Sequence, residues 1–342
     1  MVLISQGSKE YINESNSIGN TPLIYASWRG LTHLVKSLLQ RGADADAKNA
    51  DGYNALHACA LRGDHASALL LVRAGADLHH AEDWHGATAL HMAAQVGHIR
   101  VMRVLVKAGA NVDRRGQEGA TPLYLATSRG QTDAVEFLLE AKANPLIPCA
   151  RYTPLEAAAK LEHVGVVKKL LQHAGIEGCD EATGGRPALV YAAQQQNVEI
   201  MTLLCNAGTT DFAGDALRSA VLYGREISTK FLLQKCHPTW VPMYVNTRDA
   251  DGLSPLGCCF NKSSLRLFSC RIVRLLCDAG ANSSYYEKIR PATESDLRDM
   301  GYTAADEKAI GLQEICRLLQ RLPAARAVSW GWPSSSTGKA TK

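Results

Sequence analysis

The chain has 342 residues, 46% of them apolar and 20% charged, with 28 Gly and 12 Pro. These proportions exclude collagen-like and wholly disordered chains, which need far more Gly and Pro or far fewer apolar residues. With 37 Lys and Arg against 33 Asp and Glu the net charge is +4, too small a surplus to announce a nucleic acid partner. No apolar run approaches the roughly 20 residues of a bilayer span; the densest lies at 68–72. No secretory signal is read in the first seven residues. The ten cysteines, without a short regular framework, read as reduced thiols of a cytosolic or nuclear protein.

In chain order, one string recurs. Thr21-Pro22-Leu23-Ile24-Tyr25-Ala26 aligns with Asn54-Ala55-Leu56-His57-Ala58-Cys59, Thr88-Ala89-Leu90-His91-Met92-Ala93, Thr121-Pro122-Leu123-Tyr124-Leu125-Ala126 and Thr153-Pro154-Leu155-Glu156-Ala157-Ala158, at steps of 33, 34, 33 and 32 residues. Weaker copies begin at Pro187, Asp215, Ser254 and Thr303, at steps of 34, 28, 39 and 49 that imply insertions. Thr or Ser followed by Pro reads as a helix N-cap with proline at the first helical position, where its missing N–H costs nothing. The helix is short: Gly30, Gly63, Gly97, Gly130 and Gly224 recur about nine residues after the cap, where a left-handed residue ends it. A second helix follows with apolar residues three and four apart, as in Val35, Leu38 and Leu39, or Val101, Val104 and Leu105. It ends in glycine again, at Gly42, Gly75, Gly109 and Gly280, before a polar loop.

One such pair cannot enclose its own apolar face, so neighbours must stack into a solenoid. The string and its 33-residue period resemble the ankyrin repeat. The resemblance covers 12–321 in roughly nine units and implies an all-α solenoid of helix-turn-helix units with hairpin loops. The expected organisation is an extension at 1–11, a repeat domain at 12–322 and a disordered Ser-, Gly- and Lys-rich tail at 323–342. Its units are expected near 17–49, 50–82, 83–116, 117–148, 149–181, 182–210, 211–249, 250–297 and 298–322. The sixth and seventh units lack the full cap string, and an insertion with Pro238, Trp240 and Pro242 spans 236–244. The helix link lengthens at 262–269, a further excursion runs over 283–300, and 301–319 reads as a polar-faced terminal unit.

Little in the chain points to chemistry. The resemblance makes His57 and His91 structural, bonding the backbone or a cap hydroxyl. His79, His80 and His85 gather with Glu82 and Asp83, leaving a metal site as the minor alternative to a solvated loop. Cys258, Cys259, Cys270 and Cys277 match no zinc spacing, and Cys59 and Cys259 fall where other repeats place a buried alanine. The glycines and lysine at 331–339 do not make a phosphate loop, and no nucleophile elbow, kinase set or helical metal-binding histidine pair is present. No catalytic residue, cofactor or metal is assigned.

The resemblance places recognition on a concave face, at the loop tips and at the two residues before the first helix's terminal glycine. Here those are Trp28 and Arg29, Leu61 and Arg62, Gln95 and Val96, Ser128 and Arg129, Lys160 and Leu161. Arg29, Arg62 and Arg129 share a register, read either as a basic stripe for an acidic or phosphorylated peptide or as solvated helix ends complementing the helix dipole. Trp84 sits in a one-residue insertion beside His85, either presented to a partner or folded back on the loop at 48–53. Arg114, Arg115 and Tyr152 extend the footprint. Asn246 takes the loop position that asparaginyl hydroxylases modify in related repeats, and Trp330 and Trp332 could form a linear motif. The expectation is a monomeric, non-catalytic module or adaptor for a partner protein or peptide. The alternative is binding of nucleic acid or another polyanion along the arginines.

Overall fold

The computed structural model describes residues 11–174, 187–208, 212–235, 244–248, 252–259 and 270–281. The expectations for 262–269, 283–300, 301–319 and the tail, with Trp240, Trp330 and Trp332, lie outside the described residues. The chain divides into two compact units, Met1–Ala188 and Leu189–Lys342.

The first unit holds five helix pairs. They are α1 (Pro22–Arg29) with α2 (Thr32–Gln40), α3 (Ala55–Arg62) with α4 (His65–Arg73), α5 (Ala89–Val96) with α6 (Ile99–Lys107), α7 (Pro122–Ser128) with α8 (Thr132–Glu140), and α9 (Pro154–Lys160) with α10 (Val164–Ala174). First helices pack on first helices in succession, α1 on α3, α3 on α5, α5 on α7 and α7 on α9, and second helices do likewise. This is the arrangement of an all-α repeat solenoid.

The caps explain why each helix starts where it does. Thr21, Asn54, Thr121 and Thr153 are extended in backbone, and their side-chain oxygens accept the N–H three residues on at 3.0–3.3 Å. Gly30, Gly63, Gly97 and Gly130 take φ of +69°, +77°, +87° and +69°, which a side chain would oppose. The leucine of each cap string, from Leu23 to Leu155, is buried, as are Ala26, Cys59, Ala93, Ala126 and Ala158. In the second helices Val35, Leu38, Val101 and Leu105 are buried as expected, whereas Leu39 and Val104 are half-buried and Met102 takes an interior place.

The units are also pinned to one another through polar groups. His57 accepts the Asn54 N–H at Nδ1 (3.2 Å) and donates from Nε2 to the Ala87 carbonyl of the next loop (3.1 Å). His91 repeats the device with Thr88 and the Ala120 carbonyl. Both histidines are therefore structural. On the loop, Asp46 and Asp113 accept the N–H of Asp77 and Asn144, each 31 residues on, at 2.7 and 2.8 Å.

The second unit carries α11 (Ala188–Gln195), at its boundary, followed by α12 (Val198–Asn206), α13 (Ala213–Leu222), α14 (Glu226–Lys235), α15 (Pro255–Cys259) and α16 (Cys270–Asp278). The Ser254 hydroxyl caps α15, accepting the Gly257 N–H at 3.1 Å. At the seventh copy the helix starts earlier than the cap string suggests. Asp215 lies inside α13 and pairs with Arg218, because the start at Phe212 has no side-chain cap to fix it. The Asn246 amide donates to the Gly280 carbonyl (3.2 Å), a bond from one loop to the exit of another second helix.

Candidate functional site

The first unit's loop tips form a hydrogen-bonded ladder. The N–H of Ala50 donates to Ile18, that of Asp83 to Asp51, that of Gln117 to His85 and that of Ala150 to Glu118, at 3.2, 3.3, 2.6 and 2.8 Å. In the second and fourth loops the donor and the acceptor are neighbours in sequence, 50 with 51 and 117 with 118. In the third they are Asp83 and His85, and Trp84 lies between them. The extra residue of the 34-residue step is thus the tryptophan itself, extruded from the ladder as a bulge extrudes a residue from a strand pair.

Glu82 makes that extrusion rigid. Glu82 is 2% exposed, and its carboxylate accepts three backbone N–H groups, from Trp84 (2.8 Å), His85 (2.6 Å) and Ala87 (3.1 Å). Burial alone would raise its carboxyl pKa; the N–H groups of Ala87, Trp84 and His85 outweigh that and hold it below the usual carboxylate range. A short bridge between Ala81 and Thr88 closes the loop's base, and His80 reaches back to the Gly52 carbonyl (2.9 Å). Trp84 is 68% exposed, so it is not folded onto 48–53.

The other candidates fall into two groups. Arg29, Arg62, Arg114, Arg115, Arg129 and His85 are exposed, and none of the five arginines enters an ion pair among the described residues. Gln95, Trp28 and Tyr152 are half-buried. Trp28 packs against Tyr53 with ring centroids 6.5 Å apart, and Tyr53, His57 and His80 continue that aromatic contact into the next loop. Tyr152 accepts a hydrogen bond from Lys160 (2.8 Å), whose ammonium also lies 4.2 Å from the ring centre.

The arginine register is real but interrupted. Arg29, Arg62 and Arg129 all stand where the first helix ends, and Val96 and Leu161, both exposed, hold the same place in α5 and α9. A Cβ on Gly30 would lie 3.2 Å from the Arg62 guanidinium, so that side chain reaches across to the neighbouring helix end. In later units the corresponding glycines are covered by His98, Gln131 and His163, and His98 and His163 also meet the carbonyls of Leu61 and Ser128.

Reactive chemistry is not what these groups offer. Burial, then Asp64, pushes the Cys59 thiol up to about 12, and burial, then Asp278, pushes Cys277 to about 11, far from the thiolate a nucleophile or ligand needs. Burial also raises Cys259. Among the described residues no three His, Cys, Asp or Glu side chains gather as a metal-binding group; Glu82 spends its carboxylate on backbone N–H groups. Sequence reasoning missed Glu82 as the support of the Trp84 tip and Tyr53 as the partner of Trp28.

A family model for ankyrin repeats in three copies matches overlapping stretches at residues 2–82, 23–116, 56–149, 113–182 and 155–239. The chain is 35% identical over 161 residues to the ankyrin repeat and KH domain-containing protein mask-1 of Caenorhabditis elegans, 45% of this chain and 6% of that protein. It is 35% identical over 133 residues to the nuclear factor NF-kappa-B p105 subunit of Mus musculus, covering 38% of this chain and 14% of that one. It is also 30% identical over 178 residues to neurogenic locus notch homolog protein 1 of Xenopus tropicalis, 47% of this chain and 7% of that one. The chain thus spans only a small part of the length of these relatives.

Proposed function

The chain is an ankyrin-repeat protein, a member of a family of protein–protein interaction modules, and on that footing we propose that it is a non-catalytic adaptor receiving a partner protein on the face made by its first helices and loop tips. The observation that carries this reading is Trp84: a large aromatic side chain extruded from an otherwise regular ladder, two-thirds exposed, with its backbone fixed by a buried carboxylate. Aromatic and arginine side chains dominate binding energetics, and a tip already ordered loses little entropy when a partner arrives. Arg29, Arg62 and Arg129 supply the charged anchors, with Arg114, Arg115, His85, Gln95, Trp28 and Tyr152 around them. Cys59, Cys149, Cys205, Cys258, Cys259 and Cys277 are thiols and not disulfides, which fits a cytosolic or nuclear protein, and the module acts as a monomer.

The experiment is affinity capture from cell extract with the wild type and with a Trp84→Ala/Arg62→Ala variant, after confirming equal circular dichroism. Loss of specific protein partners from the variant supports the reading, and equal capture by both removes Trp84 and Arg62 from the site. The unpaired arginine register favours one second reading, binding of nucleic acid or another polyanion. Val96 and Leu161 interrupt that register, which weakens it as a phosphate track. A salt titration separates the two, because phosphate-dominated binding falls steeply with salt concentration.

A further inference from the structure

The arginines at the helix ends are not equivalent, because two of them meet at the end of α1. Arg29 is that helix's own last residue. Arg62, from the end of α3, lies over Gly30, with Nη2, Nε and Cζ at 3.2, 3.3 and 3.6 Å from the point a Cβ there would occupy. At each later junction the corresponding glycine is covered by His98, Gln131 or His163 instead, none of them a permanent cation. A helix C-terminus carries about half a negative charge, which one arginine satisfies. The end of α1 has two, while the end of α3 is left to His98, whose Nε2 meets the Leu61 carbonyl at 3.2 Å.

Nothing in the protein answers the surplus charge. Arg29 and Arg62 are exposed, and neither makes an ion pair or a side-chain hydrogen bond among the described residues. The first helices α1, α3, α5, α7 and α9 contain a single carboxylate, Glu156, and it is buried in its own capping box. Asp64, two residues past Arg62, spends its oxygens on the Ser67 N–H (3.1 Å) and the Thr32 hydroxyl (3.3 Å). Resting on the previous section's assignment of this face to partner binding, we propose that Arg29 and Arg62 clamp one phosphorylated side chain of that partner. A phosphate monoester carries close to two negative charges and three acceptor oxygens at neutral pH, enough for two guanidinium forks. A carboxylate has one charge and two oxygens, which a single fork uses up. Trp28 and Leu61, immediately before the two arginines, are half-buried and offer apolar contact to the residues flanking the phosphate. Arg129 stands apart, since Val96 and Leu161 are its neighbours in register, and it adds a charge without a clamp.

The test uses dodecapeptide libraries that are degenerate except at the centre, where phosphoserine, phosphotyrosine, glutamate or serine is fixed. The immobilised full chain is expected to retain one of the phosphorylated libraries at least about ten-fold over the glutamate library, with inorganic phosphate competing. Arg29→Ala and Arg62→Ala should each abolish that preference. Arg62→Lys should reduce it, because an ammonium has no planar fork, and Arg129→Ala should leave it within about three-fold. The wild-type comparison stands by itself if a variant fails to fold. Equal retention of the phosphorylated and glutamate libraries overturns the clamp, as does a loss in Arg129→Ala as large as that in Arg62→Ala. An oligothymidylate bound in preference to both phosphorylated libraries also overturns it, in favour of a polyanion. If no library is retained while capture of protein partners still depends on Trp84, the clamp falls and the face keeps its role. If capture is indifferent to Trp84 as well, both fall.

Discussion

Acid should unfold this array through a histidine with no catalytic duty. His57 is buried between units, and burial, with the neighbouring His80, lowers its pKa from 6.5 to about 4. The backbone fixes the ring's tautomer: the Asn54 N–H can only donate, so Nδ1 is the bare nitrogen and Nε2 carries the proton given to Ala87. Between pH 6.5 and 4 the unfolded chain takes up a proton at this site that the folded chain refuses, so stability falls with acid through that window. It is flat in this contribution above 6.5. The difference of 2.5 pK units converts to roughly 3 kcal/mol at about 1.4 kcal/mol per unit. His91 is shifted the same way by burial and adds to the slope. The assay is urea unfolding followed by circular dichroism from pH 7 to pH 4, comparing the wild type with His57→Gln, which keeps an acceptor and a donor but does not titrate. The variant should start less stable and lose less with acid, and its ring should account for a proton resonance titrating near 4 in the wild type. Parallel pH curves for the two proteins would refute the assignment of the acid sensitivity to His57.

Three further outcomes follow from the same geometry. Replacing Thr121 with Ala removes the hydroxyl that accepts the Tyr124 N–H and should cost about 1 kcal/mol; an unchanged urea midpoint would count against the cap. Replacing Glu82 with Ala removes the shared acceptor of three backbone N–H groups and should cost about 1–3 kcal/mol, with amide exchange accelerating at 84–87 before anywhere else in the unit. Deleting Trp84 should make donor and acceptor neighbours again and leave stability within about 0.5 kcal/mol. A large loss would show that the indole has a packing role its exposure does not suggest.

The repeat was legible because its local signals agree at each level. A capping residue, an early leucine, a small residue at the helix contact and a left-handed glycine recur at one period, and each demands the same backbone wherever it stands. Where one signal lapses the reading slips. At Asp215 the register of Leu217 and Gly224 survives, yet no cap marks the start, and α13 runs back to Ala213. The residues of the candidate face divide along the same line. Arg29, Arg62 and Arg129 could be aligned by counting, and so could the extra residue at 84. Counting could not say that Trp84 would be the one expelled, because that depends on which backbone groups pair across units: Asp83 backward to Asp51 and His85 forward to Gln117. Nor could composition flag Glu82, since glutamate is ordinarily a surface residue and becomes an interior one here only because the loop folds three N–H groups around it. The period thus specifies where the candidate positions lie, while departures from it decide which of them stand proud. In the first five units one such departure is Trp84, seated on the buried carboxylate of Glu82.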